Sequence, residues 1–247
     1  MLIHGIGSRR QVWAPVLDRL TPRREVITLD LPGFGDAPTQ PPGGMPAGVG
    51  SLTRIVSGLV DELGLERPHV AGNSLGGWIS LELAKRGRAR SVTVLSPAGF
   101  YNRREAAFAR ASLRLTVRIA RLLAPRADRL LMSPLARILA FSQFVARPSR
   151  LSPAEAAASL RALAGAPWFD ETLPAVLLEH FRDGEQISVP VTIAWGEKDR
   201  LLLPRQARDA ARLIPRARIV ILRGCGHVPM YDDPDQVAKV LLEGSRV

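Results

Sequence analysis

Cysteine is almost missing from this sequence: Cys225 is the single one in 247 residues. No internal disulfide can form, and such usage fits a reducing compartment, so a cytoplasmic location is expected. Lysine is nearly as scarce, with only Lys85, Lys198 and Lys239 among a combined 34 lysines and arginines. The formal net charge of +11 is therefore carried by arginine, spread along the chain without a basic block. Basic chains often meet nucleic acid or anionic surfaces. Here aromatics are only 5% of residues and do not interleave with the arginines as in base-stacking platforms. The reading is a solvated surface, with no nucleic-acid partner. No apolar run approaches the roughly 18 residues of a membrane span. The chain opens on an apolar strand rather than a leader, so neither a span nor a signal peptide is expected. His4, His69, His180 and His227 are scattered, with no H-E-x-x-H spacing. No metal and no other cofactor is expected.

What is present is alternation. Met1–Ile3, Glu25–Asp30, Pro68–Gly72, Ser91–Ser96, Val189–Trp195 and Ala217–Leu222 read as strands. Helical spacing runs through Gln11–Leu20, a segment beginning near Ser51 as N-cap, Leu75–Arg86, Pro204–Leu213 and Pro234–Leu242. Leu31–Gly50 is a proline- and glycine-rich loop. Strands alternating with helices predict an α/β fold, a mostly parallel sheet covered on both faces. Between Tyr101 and Gln186 the strands stop and only helical periodicity and prolines remain. Over Phe108–Leu122 the apolar residues Phe108, Ala111, Leu115, Ile119 and Leu122 share one face, and Arg110, Arg114, Arg118 and Arg121 another. The division expected is 1–100 and 187–247 for the sheet part, with an all-helical insert, 101–186, as a cap.

The chemistry gathers at strand ends. In V-A-G-N-S-L-G-G-W, Ser74 stands between Gly72 and Gly76, after a strand and before a helix, the setting of a nucleophile elbow. Glycines let such a strained turn close, and the helix N-terminus aims free N–H groups at a developing oxyanion. A serine needs a base and a group that orients that base. Asp199, in G-E-K-D, follows one strand and His227, in G-C-G-H, follows the next. Both fall at the carboxyl edge where open α/β sheets collect reactive groups. The turn H-G-I-G-S, His4–Ser8, ends the first strand, and the N–H groups of Ile6 and Leu75 are the oxyanion candidates. His4 reads as a residue that shapes this turn. G-F-G-D-A-P hints at a dinucleotide fingerprint, but Pro38 occupies the third glycine position and removes it. Cys225, near the base, reads as a small buried residue.

Together these residues resemble the α/β-hydrolase superfamily, in particular its cap-bearing serine hydrolases. The motifs that carry the resemblance are H-G-x-G (His4–Gly7), D-x-P-G-x-G (Asp30–Gly35), G-N-S-x-G-G (Gly72–Gly77), G-x-x-D (Gly196–Asp199) and G-H (Gly226–His227). The resemblance implies an eight-stranded sheet with a helical cap between strands six and seven, and a Ser-His-Asp acyl-enzyme mechanism. Epoxide hydrolases and dehalogenases of that fold carry aspartate as the nucleophile, so Ser74 argues against both. Two departures stand out. The two strands that usually precede H-G-x-G are missing, so either Leu2–Ile3 exposes a sheet edge or the native start lies upstream. Asp36 stands where many members have serine.

Small carboxylic esters are the expected substrates, with C–C cleavage of vinylogous diketones from aromatic ring fission as the alternative. A hydrolase fold that only binds ligands is the third reading, because a fold alone does not establish a function. Asn73, Phe100, Phe144, Trp168, Phe169 and Met230 are the candidate pocket residues. The partners expected are an apolar or aromatic acyl substrate and water, with a homodimer left open.

Overall fold

The structure, a computed structural model, describes residues 1–38 and 47–246. Part of the proline- and glycine-rich loop, 39–46, lies outside them. Six strands are found among the described residues: β1 (Leu2–Ile3), β2 (Thr28–Leu29), β3 (His69–Asn73), β4 (Ser91–Leu95), β5 (Val191–Gly196) and β6 (Arg218–Leu222). All pair in parallel, in the order β2-β1-β3-β4-β5-β6. The helices of the sheet part are α1 (Ala14–Leu20), α2 (Val49–Glu62) and α3 (Leu75–Lys85). Beyond β4 come α4 (Arg103–Leu123), α5 (Ala127–Leu130), α6 (Pro134–Phe141), α7 (Pro153–Ala164) and α8 (Phe169–Leu178), and after β5 come α9 (Gln206–Leu213) and α10 (Pro234–Gly244).

Side chains alternate across a strand, so each strand feeds two cores. Ile3, Val70, Val92, Val94, Ile193 and Trp195 face α2, α3 and α9. Leu2, Ala71, Leu95, Ala194 and Leu222 face α1 and α10, against Trp13, Val16, Val237 and Leu241. This burial on both faces explains strands that read as continuous apolar runs.

Three expectations are corrected. Leu2–Ile3 is not an edge: Leu2 registers with Thr28 on one side and Ala71 on the other, so the unpaired flank belongs to β2, shorter than Glu25–Asp30. Helix α2 begins at Val49 with Gly48 at its N-cap, and Ser51 is buried within the first turn. On α4 the packed face is Ala106, Ala109, Leu113, Val117 and Ala120, while Phe108, Leu115, Ile119 and Leu122 stay exposed. The two faces are both apolar, and the buried one mixes three alanines with Leu113 and Val117, which lets neighbouring helices approach closely.

Candidate active site

Strand β3 ends at Asn73 and α3 starts at Leu75, leaving Ser74 alone in the turn at φ 56°, ψ −117°. A non-glycine residue held there costs about 1–3 kcal/mol, and its surroundings must fix it. The Ser74 N–H donates to the Leu95 carbonyl at 3.0 Å, and the Ser74 carbonyl accepts from Ala98 at 3.0 Å and Trp78 at 3.2 Å. A Cβ on Gly72 would lie 2.1 Å from the Gly76 oxygen, and one on Gly76 would lie 2.2 Å from the Ile3 oxygen. Backbone meets backbone on both sides of the serine, so only glycine fits.

The same device joins the next two strand ends. A Cβ on Gly196 would sit 2.1 Å from the Gly226 oxygen, and Lys198 N–H donates to the Cys225 carbonyl at 2.8 Å. Asp199 and His227 are thereby brought together, both buried. Asp199 Oδ1 accepts from the N–H groups of Leu201 and Leu202, each at 2.9 Å. Its Oδ2 lies 2.7 Å from His227 Nδ1. A carboxylate satisfied on one oxygen by backbone turns the other to the ring; with the proton on Nδ1, Nε2 is left as an acceptor. Asn73, directly before the serine, donates its amide to the carbonyls of Leu95 and His227, each at 2.9 Å. It is spent on tying the elbow to the histidine loop.

The His4–Ser8 turn presses on the serine from the other side: a Cβ on Gly5 would be 3.1 Å from Ser74 Cβ. His4 is fully buried, donates from Nδ1 to the Gly5 carbonyl at 2.7 Å and accepts at Nε2 from Leu31 N–H at 2.9 Å. Burial lowers its pKa to about 4, so the ring is a neutral brace. Asp30 accepts from the backbone N–H groups of Arg10 (2.5 Å) and Asp36 (3.1 Å), and Gly35, at φ 57°, leaves room for its carboxylate. Asp36 itself pairs with Arg10 at 2.8 Å.

Ile6, Ser74 and Leu75 border a small cavity of about 30 Å³ closed by Tyr101, Leu113 and Leu173. Leu75 opens α3, where an N–H has no partner within the helix and the dipole favours negative charge. Ser74 also borders a cavity of about 100 Å³ shared with His227 and Asn73. The helical insert supplies much of its wall, including Leu113, Phe141, Phe144, Val145 and Leu163.

Of the pocket candidates, Asn73 and Phe144 line this cavity and four others do not. Phe100 packs against Phe181 and Trp195 in the core, at ring separations of 5.2 and 6.5 Å. Trp168 covers the turn at Gly33, where an added Cβ would fall 2.3 Å from its ring. Phe169 backs the turn at Gly7 in the same manner, and Met230 belongs to the core beneath α1 and α10. These aromatic and thioether side chains are large and apolar, and burial elsewhere satisfies them equally well.

Sequence reasoning missed Arg9, Tyr231 and Ser159, polar residues on the wall of the larger cavity. Arg9 had a usable signal, directly after H-G-I-G-S. It also missed Asp232, whose buried carboxylate accepts from Gly226 (2.8 Å), Ala146 (3.0 Å) and Arg147 (2.9 Å), stitching the histidine loop to the insert. Val228 N–H adds a bond to the Phe144 carbonyl at 2.8 Å. Cys225 is fully buried, and burial with nearby Asp232 pushes its thiol up to about 12, far from a reactive thiolate.

Comparison with known proteins places this geometry. The alpha/beta hydrolase family matches residues 1–240, and the chain belongs to that family. Membership makes it a hydrolase. It is 36% identical to epoxide hydrolase EphH of Mycobacterium tuberculosis over 192 residues, 74% of this chain and 87% of that protein. Among solved structures it resembles a bacterial membrane phospholipase A, at 25% identity and a TM-score of 0.74, over 99% of this chain and 78% of the other. The fold also matches 2-hydroxy-6-oxo-6-phenylhexa-2,4-dienoate hydrolase from Rhodococcus sp. strain RHA1, at 22% identity and a TM-score of 0.74, over 100% and 89% of the two chains. Among the described residues no helix is long and apolar enough to cross a membrane.

Proposed function

We propose that the chain is a serine hydrolase of carboxylic esters, with residues 101–186 acting as a cap over Ser74. The observation that carries this reading is the 2.7 Å contact of His227 Nδ1 with Asp199 Oδ2, beside a serine at φ 56° that borders the same cavity as the histidine. Ser74 Oγ attacks the ester carbon while His227 Nε2 takes its proton. The oxyanion is held by the N–H groups of Ile6 and Leu75. Collapse breaks the C–O bond, His227 protonates the departing alkoxide, and water then releases the acid from Ser74 by the same steps in reverse. Asp199 keeps the ring in the tautomer that can accept. Epoxide hydrolase EphH acts on epoxides by its name, but this chain carries serine at the elbow, and a serine ester intermediate suits acyl transfer.

A second reading, hydrolysis of a C–C bond in a vinylogous diketone, is favoured by one observation. Arg9 borders the cavity at Ser74 and supplies a cation for an acidic head group. The experiment that separates the readings starts with a fluorophosphonate probe, which is expected to add to Ser74 and be located by peptide mass spectrometry. Steady-state rates on p-nitrophenyl esters and on a ring-fission diketone follow. A kcat/KM for the diketone a hundredfold above the best ester overturns the ester reading, and no adduct at all overturns both.

A further inference from the structure

The helical insert holds a further cavity that the chemistry at Ser74 does not explain. It measures about 310 Å³ and lies among α4, α5, α6 and α7, walled by residues such as Ile119, Leu130, Leu139 and Leu160. No charged side chain lines it, and the hydroxyl of its one polar residue, Thr116, donates to the Ser112 carbonyl at 2.9 Å. Two features give the cavity a direction. Phe141, Phe144 and Leu163 line both this space and the cavity at Ser74, so the two are divided by one layer of side chains. At the other end Leu139 is 77% exposed and Ile119 46% exposed, so the wall reaches solvent. An apolar groove of this kind on a water-facing layer marks a place that something apolar covers, and its volume is that of a ligand site.

We propose that this groove takes the hydrocarbon tail of the substrate, which makes the substrate class esters with an unbranched chain of roughly eight to twelve carbons. The inference rests on the ester reading above. The ester group sits at Ser74, the chain passes the Phe141, Phe144 and Leu163 layer, and its end lies between α4 and α6. The uncharged wall excludes an acidic group on the tail, because an unpaired carboxylate there would be desolvated without compensation.

p-Nitrophenyl acetate, butyrate, octanoate and dodecanoate, kept below their aggregation concentrations, supply the test. Each methylene buried is worth up to about fourfold in binding, so kcat/KM is expected to rise at least about a hundredfold from acetate to octanoate. Ala140→Trp, which fills the groove from α6, is expected to lower the octanoate-to-acetate ratio more than tenfold. Leu178→Gln, an exposed change outside both cavities, leaves that ratio in place. Ala136→Phe replaces Ala140→Trp if circular dichroism shows that the latter does not fold. A ratio near one in the native protein, or one that the filled variants keep, overturns the proposal. If no ester is turned over and no fluorophosphonate adduct forms, the ester reading falls. The groove is then judged by calorimetry with dodecanoate: binding that Ala140→Trp removes supports it, and absent or unaltered binding overturns it. A dimer that Leu139→Arg dissociates, with a flat chain-length profile, assigns the groove to a second copy and also overturns the tail.

Discussion

The sheet part and the helical insert meet at Ser74, yet they are held by different means. Around the sheet's carboxyl edge the fit is backbone on backbone: added Cβ atoms at Gly72, Gly76 and Gly196 would all lie within 2.2 Å of a carbonyl oxygen. In the insert the fit is side chain on side chain, small residues such as Ala109, Ala120, Ala156 and Ala157 letting helices approach. Backbone contacts cannot relax without separating whole elements, whereas side-chain contacts can repack. In the proposed mechanism the rigid half therefore carries the reacting groups, and the adaptable half shapes the space that the substrate would enter.

The sharpest test of that division removes a reacting group without touching either kind of packing. Ser74→Ala is expected to cost at least about 10³-fold in kcat with Tm unchanged, because members of a triad act as a unit. Asp199→Asn is expected to be comparably severe, since the His227 ring then loses the acceptor that fixes its tautomer. Activity within tenfold of the native enzyme for Ser74→Ala would remove the serine from the mechanism.

The next test breaks the comparison directly with one alanine in each half. Gly76→Ala drives a methyl group to 2.2 Å from the Ile3 oxygen, and α3 must lift from β1. A loss of about 3 kcal/mol or more is expected in urea unfolding. Gly165→Ala, at the end of α7, places its Cβ 3.2 Å from the Arg161 oxygen at φ −88° and is expected to change stability by less than about 1 kcal/mol. Equal losses would mean that the two halves are not held differently.

This contrast also decides what could be read from the chain. The strained turn at Ser74, the meeting of Asp199 with His227 and the parallel sheet were legible because close backbone approach leaves a glycine signature at fixed spacing. The turn at Asp30–Gly35 was legible on the same ground, and even His4 could be read as a brace. The insert was harder. Its α4 helix has two apolar faces, and periodicity alone cannot say which one is packed, so Phe108, Leu115, Ile119 and Leu122 were indistinguishable from a core. Pocket residues failed by the same physics: Phe100, Trp168, Phe169 and Met230 are as apolar as Phe144, and only the fold says which wall each one joins. Asp232 was invisible because its partners are backbone N–H groups from two distant segments.

Asp232 lies on the joint between the halves. Asp232→Asn turns one carboxylate oxygen into an N–H donor facing donors at Gly226, Ala146 or Arg147. A loss of about 2 kcal/mol is expected, the cost of a buried donor left without an acceptor. Urea unfolding measures it, and an unchanged midpoint would mean that the joint is held by Val228 and Phe144 alone.

His4 sharpens the account of the rigid half through pH. Its folded pKa is lowered to about 4 from 6.5, so below pH 6.5 the unfolded chain takes up a proton that the folded one refuses. Stability from this residue is fully present above about pH 6.5 and is lost as pH falls toward 4. Between pH 7 and pH 5 the loss is about 2 kcal/mol. His4→Asn keeps a donor and an acceptor but does not titrate, so its stability is expected to fall less over that interval by the same amount. Parallel curves for the two proteins would sink the assignment.

The smallest effect is expected on the outer face of the insert, where the comparison predicts tolerance. Arg114 and Arg118 are exposed on α4, and Arg121 is paired with Asp170 at 2.8 Å. Charges that face water interact weakly beyond a Debye length of about 10 Å at 0.1 M salt. Reversing Arg114 and Arg118 to glutamate is therefore expected to shift KM for a neutral ester by less than about twofold, with no dependence on salt. A field that steers anionic substrates would behave otherwise: KM for an ester with a free carboxylate would rise severalfold at low ionic strength, and the effect would fade as salt is added. That outcome would give the arginine face a part in substrate capture and would end its description as a solvated surface.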